Sequence, residues 1–339
     1  MDVTRRRLLS GVAGTAGAGV LAGCTSDDSS SGSGSGGATA QASFFVFGDI
    51  AAQVAGDTAE SNLLVPVGQH GHGWEPGPSV QTDIRNADLL VHGMNGFQPW
   101  IDDIRSDLEA DDAGVTTLDV STGIDLLEAG EGHNHEEGDH DENGHNEGDH
   151  DEDGHNEGDH GSGMDPHFWM DPLRVKEAVG NVRQGFVDTD PDNADAYAEN
   201  TEEFRSDLDD LHERIESMVD DTSKDVILVA GHDSWQYFGD RYGIEVRALT
   251  DVSPDDRPTL QDIEQAQEII ERHDLRYICA DPLEPQQAPN QLVAETSAEE
   301  VLSLTALPGL TEEWEGEGWG YIDVMKKVNL PALERALDA

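Results

Sequence analysis

The stretch Val226–Leu249 reads VILVAGHDSWQYFGDRYGIEVRAL. It begins with an apolar run, Val226–Ala230, passes through a short loop into a helical pattern at Ser234–Tyr242, and returns to a second run at Glu245–Leu249. Two short apolar runs separated by a helix predict parallel strands of one sheet. The loop after the first strand contains His232, which stands where open α/β sheets place their ligands.

Strand and helix patterns also alternate on both sides of this stretch. Further strands are predicted at Ser43–Phe47, Asn62–Val67, Ala87–Val91, Tyr277–Ala280 and Val301–Leu304. Helices are predicted at Ile50–Gly56, from Thr82, at Gln98–Leu108, Ala194–Met218 and Thr259–Arg272, and at about Ile322–Leu337. We therefore predict an α/β fold with two lobes, each with a mainly parallel sheet flanked by helices.

One long helix is predicted to join the lobes. Pro172 stands at an early helical position, and apolar residues recur with helical spacing up to the Asp-Pro pair at Asp190. The sequence thus divides into an N-terminal lobe at 43–170, a joining helix at 171–190 and a C-terminal lobe at 191–339.

The N-terminus has the pattern of an export signal. Arg5-Arg6-Arg7 precedes an apolar stretch that is too short and too rich in glycine to span a membrane, and the stretch ends in Leu-Ala-Gly-Cys24. The arginines resemble a twin-arginine signal and the ending resembles a lipobox. We predict a signal peptide at 1–23, a lipid on Cys24, a flexible Ser/Gly tether at 24–42, and an extracytoplasmic protein anchored to the cytoplasmic membrane.

The chain is strongly acidic, with a formal net charge of −53. Such a charge repels polyanions and excludes nucleic acid as a partner. Acids spread over the whole chain, with few lysines, are typical of proteins from concentrated salt, where charge repulsion is screened. An alternative is that the charge itself gathers metal cations.

Apart from Cys24 the only cysteine is Cys279, in an apolar run, so no internal disulfide is expected. We expect a monomer.

A histidine-rich tract interrupts the first lobe. Residues 131–163 consist almost entirely of His, Asp, Glu, Asn and Gly, so we predict a disordered loop. Imidazole and carboxylate are the usual ligands of transition metals, which favours auxiliary metal binding over a solvated acidic spacer. The histidines are His133, His135, His140, His145, His150, His155 and His160.

Three histidines outside the tract stand in loops at the ends of predicted strands or helices. His72 lies in the glycine-rich PVGQHGHGWEPGPS, His167 in DPHFWMDP and His232 in GHDSWQYFGDRYG. The order of these motifs resembles the metal-binding lipoproteins of zinc and manganese ABC importers. The resemblance covers roughly Phe44–Leu337 and includes the His-rich loop before the second motif.

The resemblance implies two lobes joined by one rigid helix, with the metal in the cleft between them. His72 and His167 would come from the first lobe, and His232 and a carboxylate from the second. Histidine at position 232 indicates zinc, because manganese members usually have glutamate there and Mn²⁺ prefers more oxygen ligands. Asp281 and Glu284 compete for the carboxylate position, and we favour Asp281 because it directly follows a strand.

Residues beside the ligand motifs have simpler interpretations. His70 is interpreted as a solvated loop residue, and Glu75 as a residue that hydrogen-bonds the backbone or orients His72; direct coordination of the metal is the alternative for each. The neighbouring aromatic residues are predicted to pack around the ligands. They are Trp74, Phe168, Trp169 and Trp235.

The functional hypothesis is therefore a zinc receptor and not an enzyme. The tract would collect Zn²⁺ loosely, the cleft would bind it tightly, and the loaded protein would dock on an ABC permease with its ATPase subunit. A manganese receptor of the same family is the nearest alternative. A zinc hydrolase and a surface metal buffer are alternatives from other classes, although no HExxH motif supports the former.

Overall fold

Two four-stranded parallel sheets form the centres of the two lobes. The computed structural model describes residues 37–71, 74–129, 163–253 and 257–339. The first sheet has the order β2-β1-β3-β4, with β1 at Thr39–Ala42, β2 at Glu60–Leu63, β3 at Leu89–His92 and β4 at Thr116–Asp119. The second has the order β6-β5-β7-β8, with β5 at Val226–His232, β6 at Glu245–Thr250, β7 at Tyr277–Ala280 and β8 at Glu300–Ser303. The predicted two-lobed α/β fold is confirmed.

Helices cover both sheets. Those of the first lobe are α1 Phe45–Ala55, α2 Pro78–Arg85 and α3 Pro99–Ala110, and α4 Pro172–Thr189 follows them. The remaining helices are α5 Ala194–Asp220, α6 Gln236–Tyr242, α7 Leu260–His273, α8 Gln287–Glu295, α9 Glu312–Gly316, α10 Tyr321–Val324 and α11 Leu330–Ala336. A π-helical segment, Met325–Asn329, connects α10 to α11.

The joining helix α4 begins and packs as its sequence predicts. Asp171 caps it by accepting a 2.9 Å hydrogen bond from the backbone N of Leu173, and Pro172 occupies the first turn, where its missing N–H costs nothing. The apolar stripe from Val175 to Phe186 is fully buried against α1 and α5. Each large side chain buried in this way contributes about 1.5–3 kcal/mol, so the stripe fixes the helix between the lobes.

One core passes through both lobes and two smaller clusters lie outside it. The main cluster contains residues of α1, α4 and α5 together with the C-terminal helices. A second cluster lies beneath α7 and α8, and a third beneath α2 and α3. Because α4, α5 and α10 share a core with both sheets, the two edges that carry the candidate ligands are held together.

The structure corrects the start of the first lobe. The predicted strand Ser43–Phe47 is wrong: β1 ends at Ala42, and α1 begins at Phe45. An apolar run this short fits a buried helix as well as a strand, and α1 is buried on nearly every side. Residues Thr39–Ala42 belong to the predicted tether, yet they pair with both β2 and β3 in the middle of the sheet.

Several predictions fall on residues outside those that the structure describes. They concern the signal peptide, Cys24, the tether up to residue 36, His72, and the tract from residue 130 to 162. Within the described part of the chain, no helix is both long enough and apolar enough to cross a membrane.

Candidate metal site

His167 lies in the loop that leads into α4, where it is completely buried. Asp165 Oδ1 accepts a 2.9 Å hydrogen bond from the backbone N of His167 and lies 2.8 Å from its Nδ1. This contact assigns the ring proton to Nδ1 and leaves the electron pair for a metal on Nε2. Burial lowers the pKa of His167, although Asp165 acts in the opposite direction, so the ring stays in the neutral form that binds metals.

His232 comes from the other lobe and faces His167. It is the last residue of β5, at the carboxyl edge of the second sheet, next to the point where the strand order reverses. Its Nε2 lies 3.3 Å from Nε2 of His167. Two nitrogens bound to one tetrahedral zinc at 2.0–2.1 Å are separated by about 3.3 Å. The two rings therefore stand at the separation that a shared zinc ion requires.

Glu284 and His70 complete the cluster. Oε1 of Glu284 lies 2.8 Å from Nδ1 of His232 and 3.6 Å from Nε2 of His70. His70, His232 and Glu284 each offer a ligand atom, and these atoms lie within 4.8 Å of one another. Burial opposes ionisation of Glu284, but hydrogen bonds to His232 and His70 outweigh it and lower the pKa of the carboxyl to about 2. The cluster thus combines imidazoles with a carboxylate that is ionised at neutral pH.

Asp281, the carboxylate that the sequence favoured, is turned away from this cluster into a different hydrogen-bond network. Its Oδ1 accepts from the backbone N of Leu283 at 2.8 Å, and its Oδ2 accepts from Thr305 Oγ1 at 2.6 Å. Asn329, on the π-helical segment, binds the backbone of Thr305 through both of its side-chain atoms. The contacts thus place Glu284 against the histidines, on Nδ1 of His232, and Asp281 in the support of the loop that carries Glu284.

A segment of the second lobe, Leu304–Leu310, holds the loop that contains His70. The backbone N of Gly68 donates to Leu310 O at 2.7 Å, and that of Gly71 donates to Pro308 O at 3.1 Å. Gly309 cannot be replaced without a clash, because a Cβ there would lie 2.3 Å from Gln69 O. The first-lobe loop is thereby fixed to the second lobe beside Glu284.

Among the aromatic residues predicted to pack around the ligands, Trp169 contacts a histidine. Trp169 lies edge-on to His167 at 5.2 Å, and its Nε1 donates to Ala306 O at 2.8 Å. Phe168 and Trp235 are buried. Trp74 is half-buried and packs on Trp100, 5.1 Å away, in the cluster of α2 and α3. The Trp169 contact restrains the ring of His167.

The remaining predicted residues divide between exposed positions and positions outside the described part of the chain. Glu75 is exposed. His72 and the seven tract histidines lie outside the described residues, so their roles stay predictions. The fold brings His70 into the cluster, although the sequence favoured a solvated loop residue at this position. The feature of the sequence that could have indicated a role in the site is its place in the same glycine-rich loop as His72.

Comparison with known families identifies the group to which the chain belongs. A family model described as zinc-uptake complex component A, periplasmic (ZnuA) matches residues 41–336. The chain belongs to this family. A match of this extent covers both lobes and every described residue of the cluster.

Relatives of this ZnuA-family chain are named for two metals. The high-affinity zinc uptake system protein ZnuA of Bacillus subtilis is 29% identical over 294 residues, which are 87% of this chain and 86% of that protein. The zinc-binding lipoprotein AdcA of Streptococcus pneumoniae is 28% identical over 87% of this chain but 55% of its own length, so the chain spans about half of that relative. The manganese-binding lipoprotein MntA of Halalkalibacterium halodurans is 26% identical over 76% of this chain and 75% of that protein.

Solved structures agree with the two-lobed fold. The metal-dependent lipoprotein YcdH of Bacillus subtilis superposes with a TM-score of 0.68 at 25% identity, covering 88% of this chain and 99% of that one. Zn(II)-bound AdcA of Streptococcus pneumoniae superposes with a TM-score of 0.69 at 26% identity, covering 90% of this chain and 58% of that one.

Proposed function

We propose that this ZnuA-family protein is an extracytoplasmic zinc receptor that delivers Zn²⁺ to an ABC-type import permease and its ATPase subunit. The observation that carries the proposal is the 3.3 Å separation of the His167 and His232 Nε2 atoms, which come from different lobes. The family match and the zinc-uptake relatives support the same function. The protein binds and releases its cargo, and the transport reaction occurs elsewhere.

We propose that the metal is held by His167, His232 and a histidine of the loop after β2, with Glu284 as the carboxylate that orients His232 through its Nδ1. The described geometry supports His70 as that histidine, since Glu284 Oε1 lies 3.6 Å from its Nε2. The resemblance to the family supports His72, which lies outside the described residues. His70→Ala and His72→Ala, compared under the same conditions, separate the two: the true ligand variant loses tight binding by about 10-fold or more, and the other stays near the parent protein.

The facing nitrogens of the two histidines give the metal its place. Nδ1 of His167 lies 2.8 Å from Asp165 Oδ1 and Nδ1 of His232 lies 2.8 Å from Glu284 Oε1, so both rings turn Nε2 toward each other. Imidazole binds a metal through a nitrogen that carries no proton, so acid is expected to compete with the metal at this pair. Asp165 remains on the far side of His167, where it orients the ring and raises its basicity.

Zinc is preferred over manganese because the cluster is rich in imidazole. Nitrogen-rich four-coordinate sites suit Zn²⁺, whereas Mn²⁺ favours oxygen ligands in greater number. The manganese-binding relative MntA makes Mn²⁺ the second candidate. Competitive titration of the two ions, followed by calorimetry in high salt, decides between them. We expect Zn²⁺ to displace Mn²⁺ at the tight site, and displacement in the other direction would contradict the proposal.

The His-rich tract is proposed to act as a loose collector, separate from the tight site. The residues that border it pair with each other through an isolated bridge between Glu128 and Met164, so removal of 131–160 leaves two ends that are already adjacent. The deletion variant is expected to bind fewer zinc ions in total while it keeps one tight site. Equal loss of tight binding would show that the tract belongs to the site, and retention of all metal by a His167→Ala variant would indicate a surface buffer.

Membrane anchoring is proposed from the sequence pattern at the N-terminus. Cys24→Ser is expected to move the protein from the membrane fraction to the soluble fraction, and an unchanged distribution would contradict lipid attachment.

The absence of catalysis is proposed from the contacts within the metal site. The acids that contact the histidines, Asp165 and Glu284, are both engaged with imidazole, which favours metal retention over water activation. Zinc-loaded protein should therefore hydrolyse an activated ester no faster than the His167→Ala variant does.

A further inference from the structure

Tyr237 of α6 places its hydroxyl at the junction of two first-lobe loops. Its side chain is fully buried. The hydroxyl donates a 2.6 Å hydrogen bond to the backbone O of Asp165 and accepts a 2.9 Å hydrogen bond from the backbone N of Leu127. A tyrosine of the second lobe thus satisfies two buried backbone groups of the first.

The loops that Tyr237 joins form a small antiparallel clasp, which we define as Leu127–Ala129 and Gly163–Asp165. The backbone N of Asp165 donates to Leu127 O at 2.8 Å, and that of Ala129 donates to Gly163 O at 2.8 Å. Asp165 is also the residue whose carboxylate contacts Nδ1 of His167 at 2.8 Å. The position of the clasp therefore determines the position of the His167 ring.

A second contact attaches the far end of α6 to the start of the joining helix α4. Arg241 donates through Nε and Nη2 to Asp171 Oδ2, at 2.9 and 2.7 Å. Arg174 donates to the same oxygen at 2.8 Å, and its guanidinium lies 4.9 Å from the centre of the Tyr237 ring. The helix is thus held at both ends.

The position of α6 in the chain connects these contacts to the metal site. The helix begins at Gln236, four residues after His232. Tyr237 therefore ties the loop of His167 to the element that directly follows His232. The contact thus connects the two segments whose histidines place their Nε2 atoms 3.3 Å apart.

We propose that Tyr237 is a positioning residue: by joining the clasp to α6, it fixes the separation of His167 and His232 before the metal arrives. This inference rests on the proposed zinc-receptor function. Since these two imidazoles then need no rearrangement on binding, the tyrosine raises affinity by preorganisation and slows metal release.

The test is Tyr237→Phe in the full chain, which removes the hydroxyl and keeps the ring. Zinc affinity is measured by competition with a chromophoric chelator whose affinity for Zn²⁺ is much higher than that of the weak sites. Co²⁺ is used as a spectroscopic probe of ligand geometry. We expect zinc affinity to fall about 10-fold, the range seen when support of a ligand is lost, with faster metal release and an altered Co²⁺ visible spectrum.

The matched control is Tyr242→Phe on the same helix. The hydroxyl of Tyr242 contacts Nδ1 of His212 at 3.0 Å and is not bonded to the clasp. This variant should keep the affinity and the Co²⁺ spectrum of the parent protein. Equal effects of the two substitutions, or a Tyr237→Phe variant that folds and matches the parent in both measurements, would overturn the proposal.

Arg241→Gln provides a second route if Tyr237→Phe does not fold. Its side chain is 34% exposed, so its loss should be tolerated while the far end of α6 is loosened. A smaller drop in affinity with the same spectral change is expected, and an unchanged spectrum would count against the mechanism. If the parent protein itself lacks a tight zinc site, the proposed function fails. If the parent binds and both variants bind equally well, only the positioning role fails.

Discussion

Replacement of Glu284 by Gln tests which carboxylate supports the metal site. The substitution keeps the size of the side chain and removes its charge. Glu284 Oε1 lies 2.8 Å from His232 Nδ1, and the side chain is only 16% exposed, so solvent screens the interaction weakly. A hydrogen bond to a charged group contributes about 1.5–3 kcal/mol. At 1.4 kcal/mol per factor of ten, zinc affinity should fall about 10- to 150-fold.

The matched variant is Asp281→Asn, at the carboxylate that the sequence favoured. Its contacts are Leu283 N and Thr305 Oγ1, so the substitution should lower the free energy of unfolding by about 1 kcal/mol and change zinc affinity much less than Glu284→Gln does. Both variants are compared by chelator competition and by urea unfolding, in a chain that lacks 131–160. A larger loss of zinc affinity for Asp281→Asn would refute the geometric assignment and restore the sequence-based one.

Three further predictions follow from the same contacts. Asp165→Asn should weaken zinc binding about 10- to 100-fold, measured by chelator competition, because His167 loses its orienting carboxylate. Gly231→Ala should weaken binding with little change in melting temperature, because a Cβ there would lie 2.4 Å from Oε2 of Glu284 and would displace that flexible side chain; unchanged affinity would contradict this. Because burial lowers the pKa of His167, the unfolded chain binds more protons once pH falls below about 6.5. Stability measured by urea unfolding should therefore decrease between pH 7.5 and 5.5, and this decrease should be smaller in His167→Gln.

The fold could be predicted from the sequence where elements have a strong pattern. The strand Tyr277–Ala280 is found as predicted, and α4 differs from its predicted range by one residue at each end. Apolar spacing, a proline in the first turn and an Asp-Pro break are local signals, and tertiary packing did not override them. Both lobes can therefore be assigned from the sequence alone.

Elements with weak local patterns were missed. The strand Thr39–Ala42 reads Thr-Ala-Gln-Ala, which has the composition of a linker, and its burial comes from neighbouring strands distant in sequence. The edge strand Thr116–Asp119 is short and largely exposed, and no prediction covered it or α8. Strand formation at such positions depends on the environment more than on the residues themselves.

The candidate site could be predicted from the sequence only in part, because some of its contacts depend on three-dimensional geometry. The positions of His167 and His232 at element ends predicted that they would meet. The choice between Asp281 and Glu284 depends on the path of one short turn after β7, and spacing alone does not determine which side chain reaches the cleft. The role of Tyr237 depends on a contact between lobes across 72 residues of sequence, for which the chain carries no local signal.

The most direct test of the account is anomalous diffraction at the zinc edge, from crystals of the protein grown with Zn²⁺. The account predicts one strong peak within about 2.0–2.2 Å of Nε2 of His167 and Nε2 of His232, with Glu284 as the nearest carboxylate. A strong peak elsewhere, with these two imidazoles too far apart to reach a common ion, would contradict it.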